Sequence, residues 1–265
     1  MGGPARRPRS GGSLDRRRDD LFGLAILSIW SVAGFWGFPA ALPDAITLRG
    51  WSRHGPGAVD ASGTTLLIAV VATALSLALV IGALQSEAVT SRKGISTWLI
   101  YLPLIVPQVA FLPGLQILFL HLGAGSGVGP VIFAHMVFVL PYVFLSLADP
   151  WRAWDARLGT VGAALGRRPL AVMITLRLPM LLRSILTAAA VGIAVSVSQY
   201  LPTLLIGGGR VTTLTIEALA LASGGDRQAI AIYSLLQTGA ALLPFTVAIV
   251  VPTILWRNRR GLAHG

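Results

Sequence analysis

The sequence predicts an all-α polytopic membrane protein with six transmembrane helices, and three observations carry that expectation. Mean hydropathy is +0.75. Charged residues make up only 12% of the 265 residues, against 54% apolar. An ordinary soluble domain carries roughly 25% charge, so this chain has too few solvated groups to cover a water-facing surface. Its charges are also bunched between long uncharged runs, and a run of ~20 apolar residues is what a helix needs to cross a bilayer.

Taken in order, residues 1–20 hold Gly, Ser, Arg and Asp, with Arg6, Arg7, Arg9, Arg16, Arg17 and Arg18. With no apolar face to bury, this segment reads as a disordered basic cytoplasmic tail. Residues 21–43 carry no charge before Asp44 and read as the first span. The apolar run exceeds the ~7–15 residues of a signal-peptide core, which predicts an uncleaved helix. Residues 44–60, with Arg49, Arg53, His54, Pro56 and Gly57, read as an external loop. The second span covers 61–84, where Thr64, Thr65, Thr73 and Ser76 can return hydrogen bonds to their own helix. Glu87, Arg92 and Lys93 follow on an internal loop, and Trp98 and Tyr101 stand where interfacial aromatics belong.

The third span, 97–120, contains Pro103, Pro107 and Pro113. Prolines free backbone carbonyls, which neighbouring helices must satisfy in lipid, so this helix is predicted to pack inside the bundle. Residues 130–148 form the fourth span, with His135 near its outer end and Pro141 within it. The fifth, 184–206, is rich in the Ala, Gly and Ser that let helix backbones approach closely, and Gly207, Gly208 and Gly209 end it. Residues 210–227 are too short and mixed to cross and read as a short external helix. The sixth span is 228–256, and 257–265 form a cytoplasmic tail. With both termini inside, 17 of the 21 Lys and Arg fall on the inner side, leaving Arg49, Arg53, Arg210 and Arg227 outside. Basic residues are retained on the cytoplasmic side, so this is the predicted orientation, in a bacterial inner membrane.

Several chemistries are excluded by what is missing. Cysteine is absent, which removes disulfides and thiolate metal sites. The sole lysine, Lys93, follows no glycine-rich phosphate loop, so there is no P-loop. The four histidines form no close pair, and no Gly-x-Ser-x-Gly elbow occurs. Glu87 and Glu217 fall on opposite sides of the membrane. No predicted span carries a charged side chain, which argues against a proton-driven carrier or ion channel. The net charge of +11 is dispersed between apolar runs, as membrane topology requires and a nucleic-acid surface does not. The expectation is a chain that is neither an enzyme nor a holder of cofactor or metal.

The most informative stretch is 149–183, the longest polar-containing interruption. It carries Trp151, Arg152, Trp154, Arg157, Arg167, Arg168 and Arg177, with Asp149 and Asp155 as its acids. Leu158, Val161, Leu165, Leu170, Val172, Met173, Ile174 and Leu176 are spaced as on short amphipathic helices broken at Gly166 and Pro169. A loop with apolar and arginine-bearing faces needs a partner surface.

Within it, Ala163-Ala164-Leu165-Gly166, nine residues, then Leu176-Arg177-Leu178-Pro179 resembles the signature loop of type I, binding-protein-dependent ABC importer permeases. That pattern is Glu-Ala-Ala, three residues, Gly, nine residues, Ile-x-Leu-Pro. The glycine, the Leu-Pro and the Asp155–Leu158 lead-in match. The triplet is Thr160-Val161-Gly162 instead, which removes the family's glutamate. The resemblance covers 61–252. Gln199–Thr203, Gly207–Arg210, Thr212–Thr215 and Ala222–Gly225 look like the branch that includes ferric-iron, thiamine and polyamine permeases.

The resemblance implies a type I ABC transmembrane domain over 61–252, following an extra first helix. Two such subunits, alike or different, would form the pathway, with two ATPase subunits below and an extracytoplasmic solute-binding protein outside. It also implies that Thr160, Val161, Gly162, Ala163, Leu165, Gly166, Arg168, Pro169, Leu170 and Met173 contact the ATPase, with Pro179 marking re-entry to the membrane. Gln108, Gln116, His135, Ser196, Ser198 and Gln199 are the polar groups of the inner spans. Gln108, Gln116, Ser196, Ser198 and Gln199 are the candidate pathway residues, with helix-packing contacts as their simpler role. A second reading is a membrane-embedded docking or assembly factor that uses the loop without transporting anything. An intramembrane hydrolase is disfavoured by the missing dyads.

Overall fold

The computed structural model describes residues 12–34, 36, 43–90 and 96–256. Expectations for 1–11, for residues 35 and 37–42 of the first span, for Arg92 and Lys93, and for 257–265 lie outside them. The described chain is helical, in the order α1 Gly12–Val32, α2 Arg49–Thr90, α3 Ser96–Ile105, α4 Gln108–His121, α5 Val128–Arg152, α6 Ala156–Ala164, α7 Pro169–Val172, a π-turn Met173–Arg177, α8 Leu178–Met180, α9 Leu182–Val197, α10 Leu201–Gly207, α11 Leu214–Gly224 and α12 Arg227–Trp256. Extended pairing among the described residues is limited to an isolated bridge between Ala33 and Ile46.

Helices α2, α5 and α12 are each long and apolar enough to cross a membrane. Segments Pro169–Met180 and Leu182–Val197 are apolar enough together for a broken span or a re-entrant loop, bent by 74°. Phe22–Val32, Gln108–His121 and Leu214–Gly224 are shorter apolar helices.

The bounds depart from the hydropathy pattern where local chemistry overrides it. Helix α1 begins at Gly12, inside the segment expected to be disordered, and stops at Val32, short of Pro43. Past it, Gly34 donates to Ala45 O and Thr47 donates to Val32 O, both at 2.7 Å. Helix α2 starts at Arg49 and takes in most of the expected external loop, Pro56 included. The third span is two helices, because Pro107 lacks an N–H and pushes the residue before it out of helical geometry. The fifth is likewise interrupted at 198–200, and Pro202 restarts it within the first turn of α10. Gly208, at φ 56°, then caps α10 in the left-handed region, which glycine enters at no steric cost.

The bundle is built around α2, α5 and α9. One core cluster joins Val80 and Leu84 of α2 to Val143, Phe144, Leu147 and Trp151 of α5 and Ala188 of α9. A second joins Ile68 to Leu112, Leu115, Phe119, Phe138 and Ile206. A third packs Ala58, Ala61 and Ala69 against Val197, Leu214, Ile232 and Tyr233. Small residues set the spacing: a β-carbon at Gly192 would stand 2.6 Å from Thr73 Cγ2 and 3.0 Å from Val143 Cγ2. Gly192→Val should therefore lower the stability of the folded chain by about 1–3 kcal/mol, the usual cost of overpacking. The check is the thermal midpoint in detergent, and an unchanged midpoint would contradict the packing.

Candidate functional site

Segment 149–183 is an ordered structure. Helix α5 runs on to Arg152, and after a turn at Ala153 and Trp154 the Asp155 carboxylate caps α6, accepting from Arg157 N at 2.9 Å. At the other end Gly166 N donates to Ala163 O at 2.9 Å and Arg167 N donates to Gly162 O at 3.0 Å. This bond pair is a Schellman cap. It places Gly166 at φ 72°, a conformation that disfavours residues with a side chain on steric grounds. Arg168 is the N-cap of α7, and Pro169 opens that helix at a position whose N–H has no helical partner.

The residues assigned to docking divide into two groups. Val161, Leu165 and Leu170 are 57%, 76% and 65% exposed, and Ala163, Arg168 and Pro169 are exposed beside them. Thr160 is exposed too, its hydroxyl donating to Arg157 O at 3.0 Å. Gly162 and Met173 face inward instead. A β-carbon at Gly162 would lie 2.6 Å from Val172 Cγ2, so Gly162 is where α6 and α7 touch. Met173 packs on the cluster of Trp151 and Leu147. Pro179 is exposed, within α8.

Beneath this face lies an arginine to which the loop's spacing assigns no role. Arg177 is only 6% exposed. Its Nη1 donates to Gln85 Oε1 of α2 and its Nη2 to the carbonyl of Trp151 in α5, both at 2.8 Å. The guanidinium sits 4.3 Å from the Trp151 ring centroid and 4.8 Å from that of Trp154. Beside it, Arg152 Nη2 pairs with Glu87 Oε2 at 3.0 Å, a second link between α5 and α2. The available signal was the pair of tryptophans and Arg177 within one short interruption of an apolar chain.

The candidate pathway residues do not all meet. Ser196 and Gln199 gather around His135 at the break between α9 and α10. His135 Nδ1 lies 2.8 Å from Ser196 Oγ and Nε2 lies 2.9 Å from Thr203 Oγ1, while Gln199 Nε2 approaches His135 O at 3.5 Å. Gln199 Oε1 is buried with no hydrogen-bond partner among the described residues. Ser198 is exposed and donates to Val195 O of its own helix. Gln108 opens α4 and Gln116 is exposed on it, and neither belongs to the hydrogen-bonded group around His135. Thr203 was not among the candidates, because its contact with His135 joins residues 68 apart and no local pattern reports it.

Gly162 and Gly166 are glycines for different reasons, and this is testable. Gly162→Ala should open the α6–α7 contact, raising proteolysis of the loop, and adding Val172→Ala should restore resistance. Gly166→Ala should cost about 1 kcal/mol through backbone strain, with no rescue by Val172→Ala. Rescue of both, or of neither, would contradict the assignment.

No family model matches the chain. It is 33% identical over 198 residues to YnjC of Escherichia coli, an inner membrane ABC transporter permease protein, in a match covering 75% of this chain and 38% of that protein. This chain thus spans under two fifths of that relative's length. It is 29% identical to ModB of Mycobacterium tuberculosis, a molybdenum transport system permease protein, over 78% of this chain and 88% of that one. It is 26% identical to PhnV of Salmonella typhimurium, provisionally named as a 2-aminoethylphosphonate transport system permease protein, over 88% and 84% of the two chains. By sequence, then, the chain is similar to proteins named as transport permeases, one of them as an inner membrane ABC transporter permease protein.

Proposed function

We propose that this chain is a membrane-spanning permease subunit of an ATP-binding-cassette importer. The observation that carries the reading is the 149–183 segment: an exposed apolar face on two short helices, fixed to the bundle by buried contacts. A contiguous exposed apolar patch on an ordered scaffold marks an interaction site. In this reading the partner is a separate ATPase, contacted by Thr160, Val161, Ala163, Leu165, Arg168, Pro169 and Leu170, with Gly162, Gly166, Met173 and Pro179 shaping the face. A second permease half, identical or different, completes the pathway, and an extracytoplasmic solute-binding protein delivers the solute. Both termini lie in the bacterial cytoplasm, as the arginine distribution favours. The extra first helix and two interrupted segments, α3–α4 and α9–α10, complete six crossings alongside α2, α5 and α12.

The cluster at the α9–α10 break is the best-supported part of the pathway assignment. An intramembrane histidine with polar partners marks a functional position, and unwound backbone inside a membrane is tolerated where it lines a cavity or is buried in protein. Ser196 and Gln199 belong to that cluster, while Gln108, Gln116 and Ser198 contribute only if the second half brings a surface to them. The Gln199–Thr203 and Gly207–Arg210 motifs favour the ferric-iron, thiamine and polyamine branch.

Leu165→Asp should reduce the ATPase retained by the purified permease at least ~10-fold, since it replaces burial of a leucine by desolvation of a charge. Membrane insertion should be unchanged. Wild-type retention in the variant would remove the docking face from the proposal. The wild-type chain purified alone should hydrolyse no ATP, and robust hydrolysis would refute the division of labour. Retention of an ATPase with no ATP-driven uptake in liposomes would favour the assembly-factor reading.

A further inference from the structure

We propose that Arg177 is the positioning residue that makes the 149–183 loop move as one body with α2 and α5. The inference rests on the permease reading and assigns a role within it to a residue outside the docking face.

The loop joins the bundle covalently at two places, and the second is a poor transmitter. Between Met180 and Leu182 the helix axis turns by 74°, with Leu181 outside helical geometry at φ −92°, ψ 7°. A push on the loop applied through this bend would flex the bend before it moved α9. Arg177 stands just before it and bypasses it. Its two bonds lead sideways into α2, at Gln85, and into α5, at Trp151. Trp151 is itself locked, 1% exposed and packed with Leu84, Leu147 and Ala188.

The backbone is shaped for this contact. Arg177 closes a π-turn, Met173–Arg177, and one extra residue in a turn rotates the downstream residues by about 100° relative to an α-helix. Ile174 and Leu176 in the same turn remain 54% and 37% exposed while Arg177 is buried. The acceptors are neutral carbonyl oxygens rather than a carboxylate, so the contact depends on the fixed fork of the guanidinium and its planar contact with the two ring faces. Lysine provides neither. The parallel Arg152–Glu87 pair is more exposed, at 39% and 17% of side-chain surface, and exposed pairs are weak.

The test reads the distance between loop and α2 as nucleotide turns over. The chain has no native cysteine, so spin labels at Ala156→Cys on α6 and Ala88→Cys on α2, both exposed positions, report a single pair per subunit. The permease–ATPase complex is measured in lipid nanodiscs, nucleotide-free and trapped with ATP and vanadate. In the otherwise unchanged chain the distance should stay constant between the two states. In Arg177→Lys, Arg177→Met and Gln85→Leu it should match the parent without nucleotide and shift by several ångströms on trapping. Gln85→Leu leaves the bond to Trp151 in place, so it guards against simple misfolding and should shift less than Arg177→Met. Variants that hold the parental distance in both states overturn the proposal, as does a parent whose distance already shifts. Variants already displaced without nucleotide show a purely structural role and overturn it too. An ATPase that fails to co-purify with the parent overturns the permease reading, and this inference with it.

Discussion

A guanidinium held against two indole rings is the contact on which the loop end of this molecule depends. Without Arg177, the carbonyl of Trp151 and the side-chain oxygen of Gln85 would both lose this donor. Leaving such groups unpaired costs about 1–3 kcal/mol each. The tryptophans provide the other half of the arrangement, since their ring faces attract the cation without requiring a buried counter-charge. The loop is thus tied down by its own positive charge, in a segment whose acids are engaged elsewhere or exposed: Asp155 caps α6, and Asp149 stands at the surface of α5.

That arrangement leaves the apolar side chains of α6 and α7 free to face outward. The capped ends, the close contact at Gly162 and the inward-facing Met173 all stiffen a small platform that presents Val161, Leu165 and Leu170. Ordering those residues in advance lowers the entropy lost when a partner covers them. The same logic runs through the bundle, where Gly192 brings α9 against α2 and α5, and hydroxyls such as Thr65 and Ser76 return to their own helix at 2.7 and 2.8 Å.

The class of fold, the presence of the major helices and the break of the loop at Gly166 and Pro169 were legible in the sequence because each rests on a local signal: hydropathy, a glycine, a proline. Helix ends were less legible. Polarity cannot mark the end of a helix that leaves the bilayer and continues, as α2 does through Arg53, His54 and Pro56. Nor does hydropathy register a break inside an apolar run, such as 198–200. The site was half legible for a similar reason. Leu165 and Gly166 announce themselves by spacing, whereas the bond from Arg177 to Gln85 joins positions 92 residues apart, and no periodicity reports such a pairing. His135 and Ser196, 61 residues apart, were each noticed as polar, but their meeting was not.

The length of α2 has a mechanical meaning. At 42 residues and 1.5 Å per residue it is about 63 Å long, roughly twice the hydrocarbon thickness of a bilayer. One end carries Gln85 and Glu87, bonded to Arg177 and Arg152. The other carries His54, 3.1 Å from the Asp226 carboxylate that also caps α12 through Ala229 N. The helix is continuous between them. A rod of that kind pivoting within the bundle swings its two ends in opposite directions, so a tilt imposed at Gln85 would arrive at His54 inverted rather than attenuated.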